Sequence, residues 1–517
     1  MERIKIPIKA INFIINLFRN RILKTITDHG LTQQIITGDG LDQGETISPL
    51  LWRIFYDPLI NKIQNNSKFG YTMSTQWREN LNFPYTKKME IRTAATAFMD
   101  DTTWIASSAE NMQQILNEAA IFYKANDSQI NSKKSVLLAI NASKDDQDKE
   151  VLIGPNKEPL KKLSKEEFTR YLGIHIGEID HKKYVFDLLQ REIFHITQAL
   201  NNKKTTDKQT LYILNRVLIP RLEYKSQHCF FTEKECKKLM TKYMGKFKNS
   251  IIISKTCPNS IILHKGIYSL KSMWEIQAEA LISNFINRIN DENKPGISSI
   301  IRLKDFQLLN WEPENIIKKH ILGSSKIKKN LQANILLLAH NYGITYQGSN
   351  FQDLFEWQGG STSIKNVLKN QKIYNKSIKS LSRLNIMFID QIIDQDNKLL
   401  LDWQVLLSLT NENNKGRPPI WYQLIKEKIT TPKINNELNI NFDHFNYTNN
   451  HHTWTNQISE DNRTKEWIAF YTSDQKTTWG KVLNKNIHDM DQKKNTITIS
   501  HHTIDTTTNH NTKLTPC

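Results

Sequence analysis

Asp100 and Asp101 stand side by side in TAATAFMDDTTWIASSAE, the stretch from Thr93 to Glu110. Adjacent carboxylates repel each other, and a bound divalent cation offsets that repulsion. Their oxygens suit Mg²⁺, which keeps several waters and takes few protein ligands. The plainer reading is turn chemistry, because aspartate is common in turns. Both readings put the pair at a bend. TAATAF reads as a strand of small and branched residues and TTWIAS as its return strand, with the aspartates between them.

Other elements must hold that bend in place. Ile11, Ile14, Ile15 and Phe18 fall at helical spacing, which predicts an opening amphipathic helix with one buried face. RILKTIT alternates, and DHG turns it back into LTQQIIT, which predicts a hairpin. After the loop GDGLDQGETISP, Ser48-Pro49 predicts a helix start with Ser48 as N-cap and Pro49 at the first helical position. Leu51, Phe55, Leu59 and Ile63 carry that helix's core face. Ser107 and Glu110 form a capping-box pattern ahead of a helix whose buried face is Met112, Ile115, Leu116, Ala119, Phe122 and Tyr123.

The whole chain narrows the chemistry further. Its 517 residues suggest several domains, and its net charge of +18 with a pI near 9.4 favours a polyanionic partner such as nucleic acid. Solubility, or an AT-rich coding bias toward Asn, Lys and Ile, explains the charge equally simply. Cys229, Cys236, Cys257 and Cys517 form no CxxC pair, so a disulfide framework or zinc ribbon is not expected and a reducing, intracellular compartment is. No apolar run is long enough for a bilayer. The apolar first twenty residues are broken by Lys9 and Arg19, which argues against a signal peptide.

The paired aspartates have company. GLDQGETISPLLW lies upstream, and INSKKS and RYLGIHIG lie downstream. The order Gln-Gly with Ser-Pro, aromatic-x-Asp-Asp, Asn-x-x-Lys-Ser, then Tyr-Leu-Gly resembles reverse transcriptases, most closely those of non-LTR (LINE-type) retrotransposons. The likeness covers Met1 to Gly177. Viral RNA-copying RNA polymerases usually carry Gly where this chain has Met99. Group II intron proteins share the motifs, but some carry a zinc-bearing nuclease tail not seen here.

The resemblance implies an α+β fold: a right-hand polymerase palm remnant of antiparallel strands on helices, then a mainly helical thumb and C-terminal region. It implies RNA-templated extension of a DNA primer with deoxynucleoside triphosphates and Mg²⁺, Mn²⁺ serving as an alternative. Asp100 would bind the metal ion with Asp101 beside it. Gln43, Gly44, Ser48 and Phe98 would line the template and nucleotide pocket, Phe98 standing where Tyr is commoner. Lys134 would lie near the triphosphate, and Tyr171, Leu172 and Gly173 would grip the primer. The nucleus is the implied location, and DNA integration the implied setting.

Two pieces of that family pattern are missing. A two-metal site clamps its ions between carboxylates on two strands, and the family's other aspartate lies on a strand before the first palm helix. Asp28, Asp42 and Asp57 fall in a hairpin turn, a loop and a helix. The fingers are missing too. The expectation is therefore a polymerase fragment inactive alone, or else a non-catalytic basic fragment that still holds nucleic acid.

The sequence divides into a palm remnant over 1–178, a helical thumb-like region over 179–290, a helical region of unknown role over 291–432 and an Asn/Thr-rich, poorly ordered end over 433–517. In the second region Leu188, Leu189, Ile193 and Ile196 share a face, and TDKQTLYILNRVLIPRLEY predicts a helix that breaks at Pro220. Thr232 caps a further helix, whose Lys237, Lys238, Lys242, Lys246 and Lys248 predict a basic face for a nucleic-acid backbone. His451-His452 and His501-His502 lack partner spacing for a metal site. FYTSDQKTTWGKV resembles the start of a ribonuclease H domain, but the acidic set does not follow.

Overall fold

The computed structural model describes residues 1–19, 21–37, 40–41, 44–128, 130–154, 156–264, 266–317, 330–342, 344–347, 353–394, 399–409, 417–430, 468–471, 496–499 and 502–505. The chain forms two compact units, the first of residues 1–72 and 92–179, the second of residues 73–91 and 180–517.

The first unit opens on a short 3₁₀ turn and α1 (Ile8–Phe18). Of the face expected to be buried, only Ile11 is; Ile14 and Phe18 are half-buried and Ile15 is exposed. The expected hairpin follows. β1 (Arg21–Leu23) pairs with β4 (Ile35–Thr37), and β2 (Ile26–Thr27) with β3 (Gly30–Leu31), with Ile22 opposite Ile36 and Thr27 opposite Gly30. α2 (Ser48–Asn65) begins where Ser-Pro predicted, but Ile47 is its cap and Ser48 makes no capping bond. Its buried face is Leu51, Tyr56, Leu59 and Ile63; Tyr56 takes the place assigned to Phe55.

Strands β5 (Tyr71–Trp77) and β6 (Lys87–Thr93) pair, and the boundary between the units falls within both. β7 (Ala95–Phe98) and β8 (Asp101–Trp104) form the antiparallel hairpin anticipated around the aspartates. α3 (Ala109–Ala125) buries Ile115, Leu116 and Ala119, as its pattern predicted. Its N-cap is Ser108, not Ser107. Ser108 has the extended backbone a cap needs, and its side chain accepts the Asn111 N–H.

Smaller elements complete this unit. A 3₁₀ turn at Ser132–Lys134 leads to β9 (Val136–Leu137), α4 (Lys144–Asp148), β10 (Leu152–Ile153), β11 (Glu158–Pro159) and β12 (Lys161–Lys162). β10 pairs antiparallel with β11, and β12 runs parallel to β9. β13 (Thr169–Tyr171) and β14 (Ile174–Ile176) make a last hairpin. Its two-residue turn, Leu172-Gly173, has φ of 47° and 82°. Positive φ at both positions suits the right-handed twist of hairpin strands.

The second unit is mainly helical. α5 (Lys182–Asn201), α6 (Asp207–Ile213), α7 (Ile219–Ser226), α8 (Glu233–Ser250), α9 (Asn259–Leu263) and α10 (Met273–Ile289) surround a core that includes Leu189, Ile193, Leu218, Tyr243 and Phe247. The expected break at Pro220 does not occur. A π turn at Leu214–Leu218 joins α6 to α7, and Pro220 falls in the first turn of α7. A wide turn there relieves the clash and lost N–H bond that proline brings to a helix interior. Thr232 and Glu235 form the predicted capping box of α8.

Beyond these lie α11 (Lys294–Asn310), α12 (Leu331–Asn341), β15 (Ile344–Gln347), α13 (Ile364–Leu368), α14 (Gln371–Leu384), β16 (Ile393–Asp394), β17 (Leu399–Leu400), α15 (Trp403–Leu409) and α16 (Ile420–Ile429). Tyr374, Leu381, Trp421 and Ile425 share a second core of this unit. Most of the end expected to be poorly ordered lies outside the described residues. Within it, β18 (Ile468–Tyr471) pairs antiparallel with β15, and β19 (Thr496–Ile499) with β20 (His502–Asp505). His451, His452 and His501 lie outside the described residues.

Candidate functional site

The β7–β8 hairpin owes its position to small residues at its base. Ala94 and Ala95 are buried against Tyr56, Leu59 and Ile63 of α2 and Ile115 and Ala119 of α3. The end of α2 is tied to the same strand by polar groups. Gln64 Oε1 accepts the Ala94 N–H at 3.1 Å. The Arg92 guanidinium donates to the carbonyls of Asn66 at 2.7 Å, Phe69 at 2.6 Å and Gln64. Gly70 takes φ +94°, and a Cβ there would stand 2.8 Å from the Thr93 carbonyl, so only glycine fits without strain.

Phe98 faces Asp101 across the ladder, and Met99 and Asp100 make the turn. Met99 has φ +56°. A long side chain there costs on the order of 1 kcal/mol, strain of the kind that gathers at functional sites. The tip is anchored from behind: Thr102 Oγ1 donates to Tyr56 Oη at 3.1 Å, and Tyr56 Oη is hydrogen-bonded in turn to Tyr123 of α3. Burial, with the Tyr56 hydroxyl beside it, holds the Tyr123 phenol well above its usual titration range.

Asp100 and Asp101 are both exposed, as is Phe98, at 61%. Among the described residues neither carboxylate forms an ion pair, and no group of three His, Cys, Asp or Glu side chains is placed to hold a metal ion. Two adjacent carboxylates at a rigid tip still fit one Mg²⁺ ion, whose other positions water or phosphate oxygens would fill. They do not by themselves make a two-ion clamp. Asp57 is engaged elsewhere, paired with Arg3 and accepting from Asn61 at 2.6 Å. Asp28 sits in the β2–β3 turn, as expected.

The other anticipated residues are spread over the first unit. Gln43 and Asp42 lie outside the described residues; Gly44 has φ +98°. Ser48 is buried in the first turn of α2, and its hydroxyl finds no hydrogen-bond partner among the described residues. Lys134 ends the 3₁₀ turn capped by Asn131, with its side chain exposed. No hydrogen bond or ion pair joins Gly44, Ser48 or Lys134 to either aspartate. Tyr171 is half-buried at the end of β13, and Leu172-Gly173 form the turn after it.

The anticipated basic face of α8 is narrower than its sequence. Lys248 is 5% exposed and donates to the carbonyls of Lys255 at 3.0 Å and Cys257 at 2.5 Å. It belongs to the buried side with Met244 and Phe247, so it leaves the set. Lys237 pairs with Glu233 at 2.7 Å, and Lys238 and Lys242 lie over the rings of Phe186 and Phe194. Cys229, Cys236 and Cys257 are free thiols, and burial pushes those of Cys229 and Cys236 up to about 12, so neither is a nucleophile at neutral pH.

Sequence reading missed Lys304 of α11. This lysine is 1% exposed, with Nζ 4.0 Å from the Trp357 ring centre and 5.1 Å from that of Trp77. It donates to Gln307 Oε1 at 2.9 Å and the Leu354 carbonyl at 2.7 Å. Burial, only partly opposed by Glu79, lowers its pKa to about 7. Sequence reading also missed the basic stripe of α14, legible as lysines three and four residues apart. No helix among the described residues is long and apolar enough to cross a membrane.

Residues 1–176 match the family of reverse transcriptases (RNA-dependent DNA polymerases). No curated protein matches the chain. The matched span ends within the β13–β14 hairpin and contains all ten residues singled out for the site.

Proposed function

We propose that this chain is the polymerase portion of a non-LTR retrotransposon, working on an RNA template, a DNA primer and deoxynucleoside triphosphates. One observation carries the reading: within the matched span, two carboxylates without counter-ions stand exposed at the tip of a hairpin packed on two helices. Asp100 and Asp101 would hold Mg²⁺, which when bound offers Lewis-acid stabilisation of charge on a phosphoryl oxygen. Thr102, Tyr56 and Tyr123 fix the tip so that the carboxylates stay aimed as the primer end arrives. Phe98 offers an exposed ring edge beside Asp101 for a sugar or base, and Lys134 a mobile cation for the triphosphate.

With no third carboxylate among the described residues, the ion is held from one side and extension by this chain is slow. That same gap favours a second reading, a non-catalytic chain that holds nucleic acid. RNA-templated primer extension with Mg²⁺, alongside Mn²⁺ binding followed by electron paramagnetic resonance, separates the two. Residual extension and Mn²⁺ binding both lost in Asp100→Asn support the polymerase. Template–primer binding with neither extension nor Mn²⁺ binding supports the second reading. Extension unchanged in Asp100→Asn removes the aspartates from the site.

A further inference from the structure

We propose that the exposed face of α14 is a second nucleic-acid contact surface, one that takes the phosphodiester backbone without reading bases. It lies outside the residues matched to the polymerase family and does not depend on polymerase activity. Lys372, Lys376, Lys379 and Arg383 recur at steps of three and four residues, so they share one narrow face. All four are exposed, and Lys369, just ahead of the Asn370 cap, is exposed as well. The opposite face, Tyr374, Ser377, Ile378, Leu381 and Leu384, is buried. Packing therefore fixes the direction in which the cations point.

Nothing nearby neutralises them. No acidic residue occurs between Trp357 and Ile389. Among the described residues, the side chains of Lys369, Lys372, Lys376 and Lys379 make no hydrogen bond or ion pair. The lysines of α8 differ, since Glu233 and the rings of Phe186 and Phe194 engage three of them. Like charges one helical turn apart destabilise a helix by about 0.2–0.5 kcal/mol per pair. A polyanion laid along the stripe removes that repulsion. The four helical cations span roughly 16 Å of axis, enough to meet several successive phosphates. No large apolar or aromatic side chain is exposed on α14, so base stacking is not on offer and contact is with the backbone.

The test compares the full chain with a Lys369→Gln, Lys372→Gln, Lys376→Gln, Lys379→Gln variant. Binding to fluorescein-labelled duplex DNA is followed by anisotropy across a salt series. Each lost phosphate contact removes about 0.9 from the slope of log affinity against log salt. The expected result is a slope smaller by about three and an affinity at least tenfold weaker near physiological salt. Arginine at the same four positions restores both. Circular dichroism melting of the glutamine variant shows that it is folded. Affinity and slope unchanged in the glutamine variant overturn the proposal, as does an arginine variant that fails to restore them. Binding to phosphatidylserine vesicles lost in the glutamine variant while DNA binding persists assigns the stripe to a membrane, and overturns it equally.

Discussion

Thr102 donates to the hydroxyl of Tyr56 at 3.1 Å, so the residue after the paired aspartates is fastened to the middle of α2. The same tyrosine hydroxyl is bonded to Tyr123. Tyr56→Phe removes the shared oxygen from both partners and leaves the buried Tyr123 hydroxyl without it. A loss of about 1–2 kcal/mol is expected by urea denaturation. Thr102→Val combined with Tyr56→Phe should cost less than the two single changes added together, because both break the same bond. Additive costs would show that the tip is held by packing alone.

Glu312 and Lys365 form a buried pair, the ammonium 2.7 Å from both carboxylate oxygens, with side-chain exposures of 4% and 17%. Burial pushes the Glu312 carboxyl upward in spite of the lysine beside it. Glu312→Ala strands the lysine and should cost about 3–5 kcal/mol. Glu312→Leu with Lys365→Met removes both charges and should recover most of that stability. Thermal melting of the three variants is the measurement. A double variant no more stable than Glu312→Ala would show that the pair itself supports the fold.

Lys304 titrates at about 7 when folded and near its ordinary value of 10.5 when unfolded. Between those values the unfolded chain binds the extra proton, so this group makes stability rise with pH from 7 toward 10.5. Below 7 both states carry the proton and the effect levels off. Lys304→Met should therefore melt higher than the parent at pH 7, with the difference shrinking by pH 9.5. A difference that does not change with pH would mean that the Trp77 and Trp357 rings keep the ammonium charged throughout.

The hairpin around Asp100 was legible because small and branched residues alternate on both sides of a turn, a pattern that sets strand, register and tip together. Helix starts were legible to within a residue, and the remaining error has a local cause. Ser107 and Ser108 offer the same hydroxyl, and only backbone geometry selects the second. At Ser48, proline fixes the start of α2 but leaves the serine side chain buried. The wide turn before Pro220 depends on packing by neighbouring helices, which a single segment does not record. Lys248 was misread for a different reason. It follows Met244 by four residues and so lies on the apolar side, where a count of lysines places none. Lys304 is buried by aromatic residues far away in the chain. The α14 stripe was readable from its spacing, but it stands where no family motif drew attention to it.

The carbonyls of Lys255 and Cys257 converge on the ammonium of Lys248. Converging carbonyl oxygens elsewhere recruit a potassium or sodium ion, which exchanges with the medium. Here the cation is carried on the polypeptide, so its local concentration is set by a four-carbon tether. Dialysis, chelators and changes of counter-ion leave the 255–257 turn untouched. The turn gives up the tunability of an exchangeable ion and gains an occupancy that never varies.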